Sequence, residues 1–278
     1  MFVWDRSGIG EDHRLSGGSC AKGYRPPLDK GGLPVSGADG KHLLTILAGP
    51  SPYRTYIAPA IATGAVPVDF FRIVTDVGTQ VPKHLRDVFR AGDGTFVGGT
   101  IDRWTRTIYA VPAPGLRAET RLEYALHEAV HLFGHPHSPQ AGSCAALCVG
   151  TFQRTYGTGF GEGATQVIAE DIMDCQQITR YYRARPYEKF TPPVRKLIDV
   201  FSLDAVARAY FWGETAALTA AMEWRWGGMW RAVAALTTAK ETTKALNLID
   251  KLEREHVDRM KKGPKGDFPV PDRFRRYA

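Results

Sequence analysis

The sequence has no long apolar run. Its longest apolar stretch, residues 57–68, is interrupted by Pro59, Gly64 and Pro67 and is too short to cross a bilayer as a helix. We therefore expect no membrane span. Residues 1–6 also lack a basic segment followed by an apolar one, which predicts that this chain carries no signal peptide.

Cysteine is sparse, with four residues in a chain of 278. If all four are oxidised, three pairings are open, and buried free thiols in a reducing cytosol are an equal alternative. A bridge to Cys175 would brace the candidate site considered below. The four residues are Cys20, Cys144, Cys148 and Cys175.

The excess of basic residues is modest, with a formal net charge of +7. A basic protein can bind nucleic acid through phosphate contacts, so a non-enzymatic nucleic-acid-binding protein is an alternative from another functional class. However, the basic residues are spread along the chain, and their one dense cluster is in residues 273–276. No nucleic-acid-binding fold signature is present, and we expect no specific nucleic-acid partner.

Residues 127–131 read His-Glu-Ala-Val-His. Apolar residues around them recur at helical spacing, which predicts an amphipathic helix. Thr120 and Glu123 have the spacing of a capping box at its start, and Gly134 marks its end. Two histidines four residues apart on one helix can bind one Zn²⁺, with Glu128 beside the zinc-activated water as the general base of a peptidase.

Two residues compete to be the third zinc ligand. His137 completes the longer metzincin pattern, in which Met173 would form the downstream Met-turn. Glu162 opens a second periodic stretch from Ala164 to Ile178, and this stretch runs through Met173 without a helix breaker. The uninterrupted period favours Glu162 and disfavours a turn at Met173.

This arrangement resembles the gluzincin peptidases of the zincin (HExxH) class, in which a second helix supplies a glutamate. It also resembles the metallopeptidase domains of bacterial polymorphic and secretion-system toxins, through the Glu-Gly-Ala segment at 162–164 and the Ala-Tyr-Phe-Trp-Gly segment at 209–213. The resemblance covers roughly residues 69 to 215. It implies His127, His131 and Glu162 as zinc ligands. It departs from the commonest pattern at Gln166, where an acidic residue is usual.

The resemblance also implies a mechanism and a setting. Glu128 takes a proton from water and later gives it to the leaving amine. Tyr156 matches in position a tyrosine that steadies the oxyanion in some gluzincin toxins, and its alternative role is packing. The expected partners are a protein or peptide substrate and a cognate immunity or inhibitor protein. We expect a bacterial protein that is secreted or delivered into a target cell.

The pattern upstream of the motif predicts strands at 69–75, 95–101 and 107–111, with a short helix from Pro82 to Gly92. The chain is therefore expected to adopt an α+β zincin-like metallopeptidase fold, with a small mixed sheet and a helical C-terminal region. The predicted divisions are a flexible tail or linker, a catalytic core, a helical subdomain and a basic flexible tail. These span residues 1–45, 46–190, 191–262 and 263–278.

Overall fold

The computed structural model describes most of the chain in nine ranges. These are residues 37–62, 71–73, 81, 83–86, 99–102, 107–110, 118–134, 151–178 and 187–261. The chain divides into two compact units. The first comprises Met1–Val149 and Ile168–Pro186, and the second comprises Gly150–Val167 and Tyr187–Ala278.

The described part of the first unit contains short helices and a small sheet. Its elements are α1 (Gly37–Ala48), α2 (Arg54–Ala62), β1 (Phe71–Ile73), α3 (Lys83–Arg86), β2 (Gly99–Asp102), β3 (Thr107–Ala110) and α4 (Ala118–Phe133). The sheet order is β1-β3-β2, with β1 parallel and β2 antiparallel to β3. Ile108 of β3 pairs with Phe71 of β1 on one side and Ile101 of β2 on the other.

The described secondary-structure elements of the second unit are all helices. It contains α5 (Thr151–Tyr156), α7 (Thr191–Phe201), α8 (Leu203–Phe211), α9 (Thr215–Trp226), a 3₁₀ turn (Gly227–Met229), α10 (Trp230–Thr238) and α11 (Thr242–Lys261). Helix α6 (Thr158–Cys175) begins in this unit and ends in the first. The helical C-terminal region predicted by the periodicity is confirmed by α7 to α11.

The predicted α+β zincin-like fold class is wrong, because the described part of the chain is mostly helical. Its strands are only three or four residues long. They occupy parts of the predicted strand segments, whereas most other described residues lie in helices. The predicted strands overlap the observed ones, but helices that were not predicted account for more of the described chain than the strands do.

Helix α1 is one of those unassigned helices. It begins at Gly37, so residues 37–45 are helical although their surroundings suggested a tail. Leu43, Ile46 and Leu47 are buried at i, i+3 and i+4 spacing, which accounts for the helix through burial of one face. Residues 1–36 and 262–278 lie outside the described part of the chain, so the tails predicted there are not described.

Packing in the second unit follows from local signals in the sequence. Two prolines in the first turn start α7, where a missing N–H costs no helical hydrogen bond. Val194, Leu197 and Phe201 then form its buried face. Ser202 caps α8 by accepting a hydrogen bond from the Ala205 amide at 3.3 Å.

Helices α9 and α11 are joined by a part-buried ion pair. Glu253 accepts hydrogen bonds from Arg225 Nε at 2.7 Å, Arg225 Nη2 at 2.6 Å and Trp226 Nε1 at 2.7 Å. Burial raises the pKa of the Glu253 carboxyl, but these three donors outweigh it and the net shift is downward. The charged carboxylate therefore stabilises this pair of helices.

Among the described residues, no helix has the length and apolar character needed to cross a bilayer.

Candidate metal centre

Helix α4 carries the two motif histidines. Leu126, Val130 and Phe133 are at most 1% exposed and anchor the helix through its apolar face. The helix ends at Phe133, and the Gly134 amide donates to the Val130 carbonyl at 2.9 Å, as the predicted stop at Gly134 requires. The predicted start is wrong, because α4 begins at Ala118 and Thr120 lies inside its first turn.

His127 and His131 lie one turn apart on α4 and are 1% and 6% exposed. Their Nε2 atoms are 3.1 Å apart, and the two rings meet edge to face with centroids 4.8 Å apart and planes at 76°. Two nitrogen ligands of one tetrahedral zinc ion stand about 3.4 Å apart, given zinc–nitrogen bonds of about 2.0 to 2.1 Å. The spacing of the two nitrogens therefore suits a shared metal ion.

Glu162 lies in the second turn of α6, between two glycines that permit close packing within the second unit. A Cβ on Gly161 would come within 2.8 Å of the Gln153 side chain on α5. A Cβ on Gly163 would come within 2.6 Å of the Phe190 carbonyl oxygen and 2.8 Å of Val194 Cγ2 at the start of α7. The Gly-Glu-Gly segment thus holds Glu162 on a helix that is packed closely on both sides.

Thr165, two residues after Gly163, is also anchored. Thr165 is completely buried, and its hydroxyl donates to the Gly161 carbonyl at 2.9 Å. The same hydroxyl is 2.6 Å from the hydroxyl of Tyr210, which belongs to the Ala-Tyr-Phe-Trp-Gly segment. This contact ties the α6 turn that follows Glu162 to α8.

The structure brings the three predicted ligands together. One ligand atom each from His127, His131 and Glu162 lies within 4.8 Å of the others, and all three residues are buried. Two imidazoles and one carboxylate form a donor set that zinc accepts in catalytic sites, where a fourth position is left for water or substrate. In its donor chemistry and its nitrogen spacing, the group fits a zinc ion.

Glu128 follows His127 on α4 and is 4% exposed. It is therefore buried on the same turn as a predicted ligand, as a general base for this group would have to be.

Met173 lies inside α6 and is completely buried. The prediction that a helix, and not a turn, runs through Met173 is confirmed. This placement does not match the Met-turn that the metzincin alternative needs. His137, the third ligand in that alternative, lies outside the described residues.

Tyr156 is buried at the end of α5, and its hydroxyl is engaged within the second unit. It donates to the Thr215 carbonyl at 2.8 Å and lies 3.0 Å from the Thr219 hydroxyl. Burial raises the pKa of Tyr156 to about 12, although hydrogen bonds with Thr219 oppose the shift. These contacts favour the packing role that was the alternative to oxyanion stabilisation.

Other buried polar residues share helical strips with the predicted ligands, although none of them was predicted to belong to the site. Glu123 precedes His127 by four residues on α4, while Gln166 and Glu170 follow Glu162 by four and eight residues on α6. All three are at most 6% exposed. The sequence signal that could have identified them is their spacing of one or two helical turns from a predicted ligand, because residues four apart lie on one face of a helix.

Cys175 is an exposed free thiol at the end of α6. Cys20, Cys144 and Cys148 lie outside the described residues, so the predicted pairings cannot be placed.

A cavity of about 620 Å³ lies within the second unit. Its wall includes several alanines of α9 together with Phe201, Leu218 and Trp224. None of the predicted site residues lines this cavity, so it is not part of the candidate metal centre.

Comparison with known proteins identifies no family for this chain. No family model, no curated protein and no solved structure matches it. Function is therefore inferred from the residues themselves.

Proposed function

We propose that this protein is a zinc-dependent endopeptidase. The observation that carries the proposal is the buried convergence of His127, His131 and Glu162, with Glu128 buried on the same turn as His127. Isolated histidines on a helix would more often face solvent or pack separately. Convergence of two imidazoles and a carboxylate from two different helices supports metal binding.

His127 and His131 would hold the ion through their Nε2 atoms, and Glu162 would hold it through its carboxylate. Zinc in such a site is a Lewis acid that polarises a carbonyl and lowers the pKa of water toward about 7. Each of the two helices that carry these donors is anchored by its own packing, α4 through its apolar face and α6 through Gly161 and Gly163.

Glu128 acts first as the general base and then as the general acid in the proposed reaction. One of its carboxylate oxygens accepts a proton from the attacking water, and the carboxylic acid then delivers that proton to the nitrogen of the leaving amine. The peptide C–N bond breaks as the new C–O bond is retained, so the products are a carboxylate and an amine. Burial of Glu128 favours proton transfer because water competes less for its oxygens.

We further propose that the protein acts as a bacterial toxin effector, secreted or delivered into a target cell, with a protein substrate and a cognate immunity protein. This part of the proposal rests on the resemblance of residues 162–164 and 209–213 to toxin metallopeptidases. Co-purification with a protein encoded beside it, and inhibition of proteolysis by that protein, would test it.

The direct test measures zinc content and cleavage of an unfolded protein such as casein by the full chain. We expect bound zinc in the wild type and its loss in His127→Ala, His131→Ala and Glu162→Ala. Glu128→Gln should retain zinc and lose activity by about 100-fold or more. Wild-type cleavage by the Glu128→Gln variant would contradict the proposal.

Two further variants complete the design. Asp174→Asn changes an exposed acid on the same helix as Glu162 and should leave zinc content and cleavage unchanged. His137→Ala separates the two candidate third ligands. Loss of zinc in that variant, with retention in Glu162→Ala, would assign the third ligand to His137.

A further inference from the structure

Four glutamates are buried in the described part of the chain, and two of them have no role in the proposed reaction. The four are Glu123, Glu128, Glu162 and Glu170. No lysine or arginine is buried to the same extent among the described residues. Because a buried carboxylate is costly unless donors stabilise it, Glu123 and Glu170 call for nearby donors.

Glu123 shares a strip of α4 with both predicted histidine ligands. Glu123, His127 and His131 occupy successive turns of one helix and are each at most 6% exposed. Side chains four residues apart on a helix are neighbours. His127 is therefore flanked by His131 one turn later and by Glu123 one turn earlier.

The orientation of the His127 ring distinguishes its two nitrogens. Its Nε2 atom faces Nε2 of His131 at 3.1 Å, on the side where the ligand atoms converge. A neutral imidazole that binds metal through Nε2 carries its proton on Nδ1. Helical side chains also lean toward the N-terminus, which inclines the His127 ring toward the turn that contains Glu123.

We infer that Glu123 is a positioning residue for His127, and that its carboxylate accepts a hydrogen bond from Nδ1–H. This inference rests on the proposed function, because it assigns Nε2 of His127 to the metal. The hydrogen bond would hold the ring in one tautomer and orientation, and it would make Nε2 a stronger donor to zinc.

The test is a competition titration of Zn²⁺ alone between the full chain and a chromophoric chelator. Glu123→Ala should bind zinc about 10- to 100-fold more weakly than the wild type. Glu123→Gln keeps an oxygen acceptor and should recover part of that loss. Affinity equal to the wild type in both variants would overturn the positioning role.

Glu253→Gln is the control for loss of a carboxylate that is part-buried and hydrogen-bonded elsewhere in the chain. It breaks the ion pair with Arg225 in the second unit and should lower stability without weakening zinc binding. If it weakens zinc binding as much as Glu123→Ala does, the effect of Glu123 is general destabilisation and the inference is wrong.

A measurement on the zinc-loaded wild type keeps the inference testable if Glu123→Ala does not fold. Nitrogen-15 spectra of labelled histidines should show that His127 is protonated at Nδ1 and that this proton is in a hydrogen bond. The chemical shift of the same proton should change in Glu123→Gln. Protonation at Nε2 would overturn the assignment.

The His127→Ala variant separates failure of the inference from failure of the proposed function. If it binds zinc as the wild type does, the metal centre itself is wrong and both proposals fail. If it loses zinc while Glu123→Ala does not, the peptidase proposal stands and only the positioning role is wrong.

Discussion

The surroundings of the Tyr156 side chain favour a different role from the one that its position in the sequence suggested. Its place six residues before Glu162 suggested an oxyanion donor, whereas its hydroxyl binds Thr215 and Thr219. With its pKa raised to about 12, the hydroxyl remains protonated at neutral pH and serves as a donor to the Thr215 carbonyl. A packing role follows directly from these contacts.

We predict that Tyr156→Phe lowers the free energy of unfolding by about 1 kcal/mol, because it removes one buried hydrogen-bonding hydroxyl. Casein cleavage by the folded variant should match that of the wild type. Chemical denaturation and the cleavage rate provide the two measurements. A loss of activity of 100-fold or more with unchanged stability would restore the catalytic role for Tyr156.

His256 on α11 makes stability depend on pH. Burial lowers its pKa, as do the positive charges of Arg225 and Arg259, while Glu253 acts in the opposite direction. The unfolded chain therefore binds a proton at this residue more readily than the folded one. Above the unfolded pKa of about 6.5, His256 is neutral in both states and does not affect stability. As pH falls below that value, its protonation favours the unfolded chain and so destabilises the fold.

We predict that the metal-free wild type loses stability between pH 7 and pH 5 more steeply than His256→Gln does. Urea midpoints measured across this range, with a chelator present, check the prediction. The comparison isolates His256, because all other titrating groups are common to the two proteins. Parallel pH profiles would contradict it.

At the scale of the element, α6 depends on glycines that its helical propensity alone would disfavour. Alanine is about 1 kcal/mol better than glycine inside a helix. At Gly163, however, a Cβ would lie 2.6 Å from the Phe190 carbonyl oxygen, which belongs to the backbone and cannot rotate away. Close packing therefore outweighs propensity at this position.

We predict that Gly163→Ala destabilises the protein by about 1 to 3 kcal/mol, the usual cost of overpacking. It should also weaken zinc binding, because Glu162 is the adjacent residue on the displaced helix. Gly228→Ala is the control, since its nearest neighbour is a flexible arginine atom at 3.4 Å. Denaturation midpoints and zinc titrations should change in the first variant and not in the second.

At the scale of the whole molecule, metal binding should be linked to folding. The three predicted ligands are 35 residues apart along the chain from first to last, and they converge only in the folded state. An ion that binds the folded chain alone stabilises it by about 2.7 kcal/mol at a concentration 100 times its Kd.

We predict that zinc raises the thermal midpoint of the wild type and that a chelator reverses the change. In His127→Ala and Glu162→Ala the midpoint should not respond to zinc. Differential scanning calorimetry with and without the ion provides the measurement. An equal zinc response in wild type and both variants would place any bound zinc elsewhere.

Local patterns in the sequence determined much of where the helices lie and where they end. The apolar period and Gly134 predicted α4 and its end, while the unbroken period through Met173 predicted α6. Such signals act within a few residues, so the sequence carries them without reference to the rest of the chain. For the same reason the sequence determined that His127 and His131 share one helical face.

Tertiary structure alone decided the balance between helix and sheet, the partners of the Tyr156 hydroxyl and the burial of Glu123 and Glu170. Each depends on contacts between segments that are distant in the chain, and no local period records which face will be covered. The approach of Glu162 to the histidines is of the same kind. The uninterrupted period through Met173 and the family resemblance both favoured Glu162, but only in the folded chain does its carboxylate lie near the two histidines.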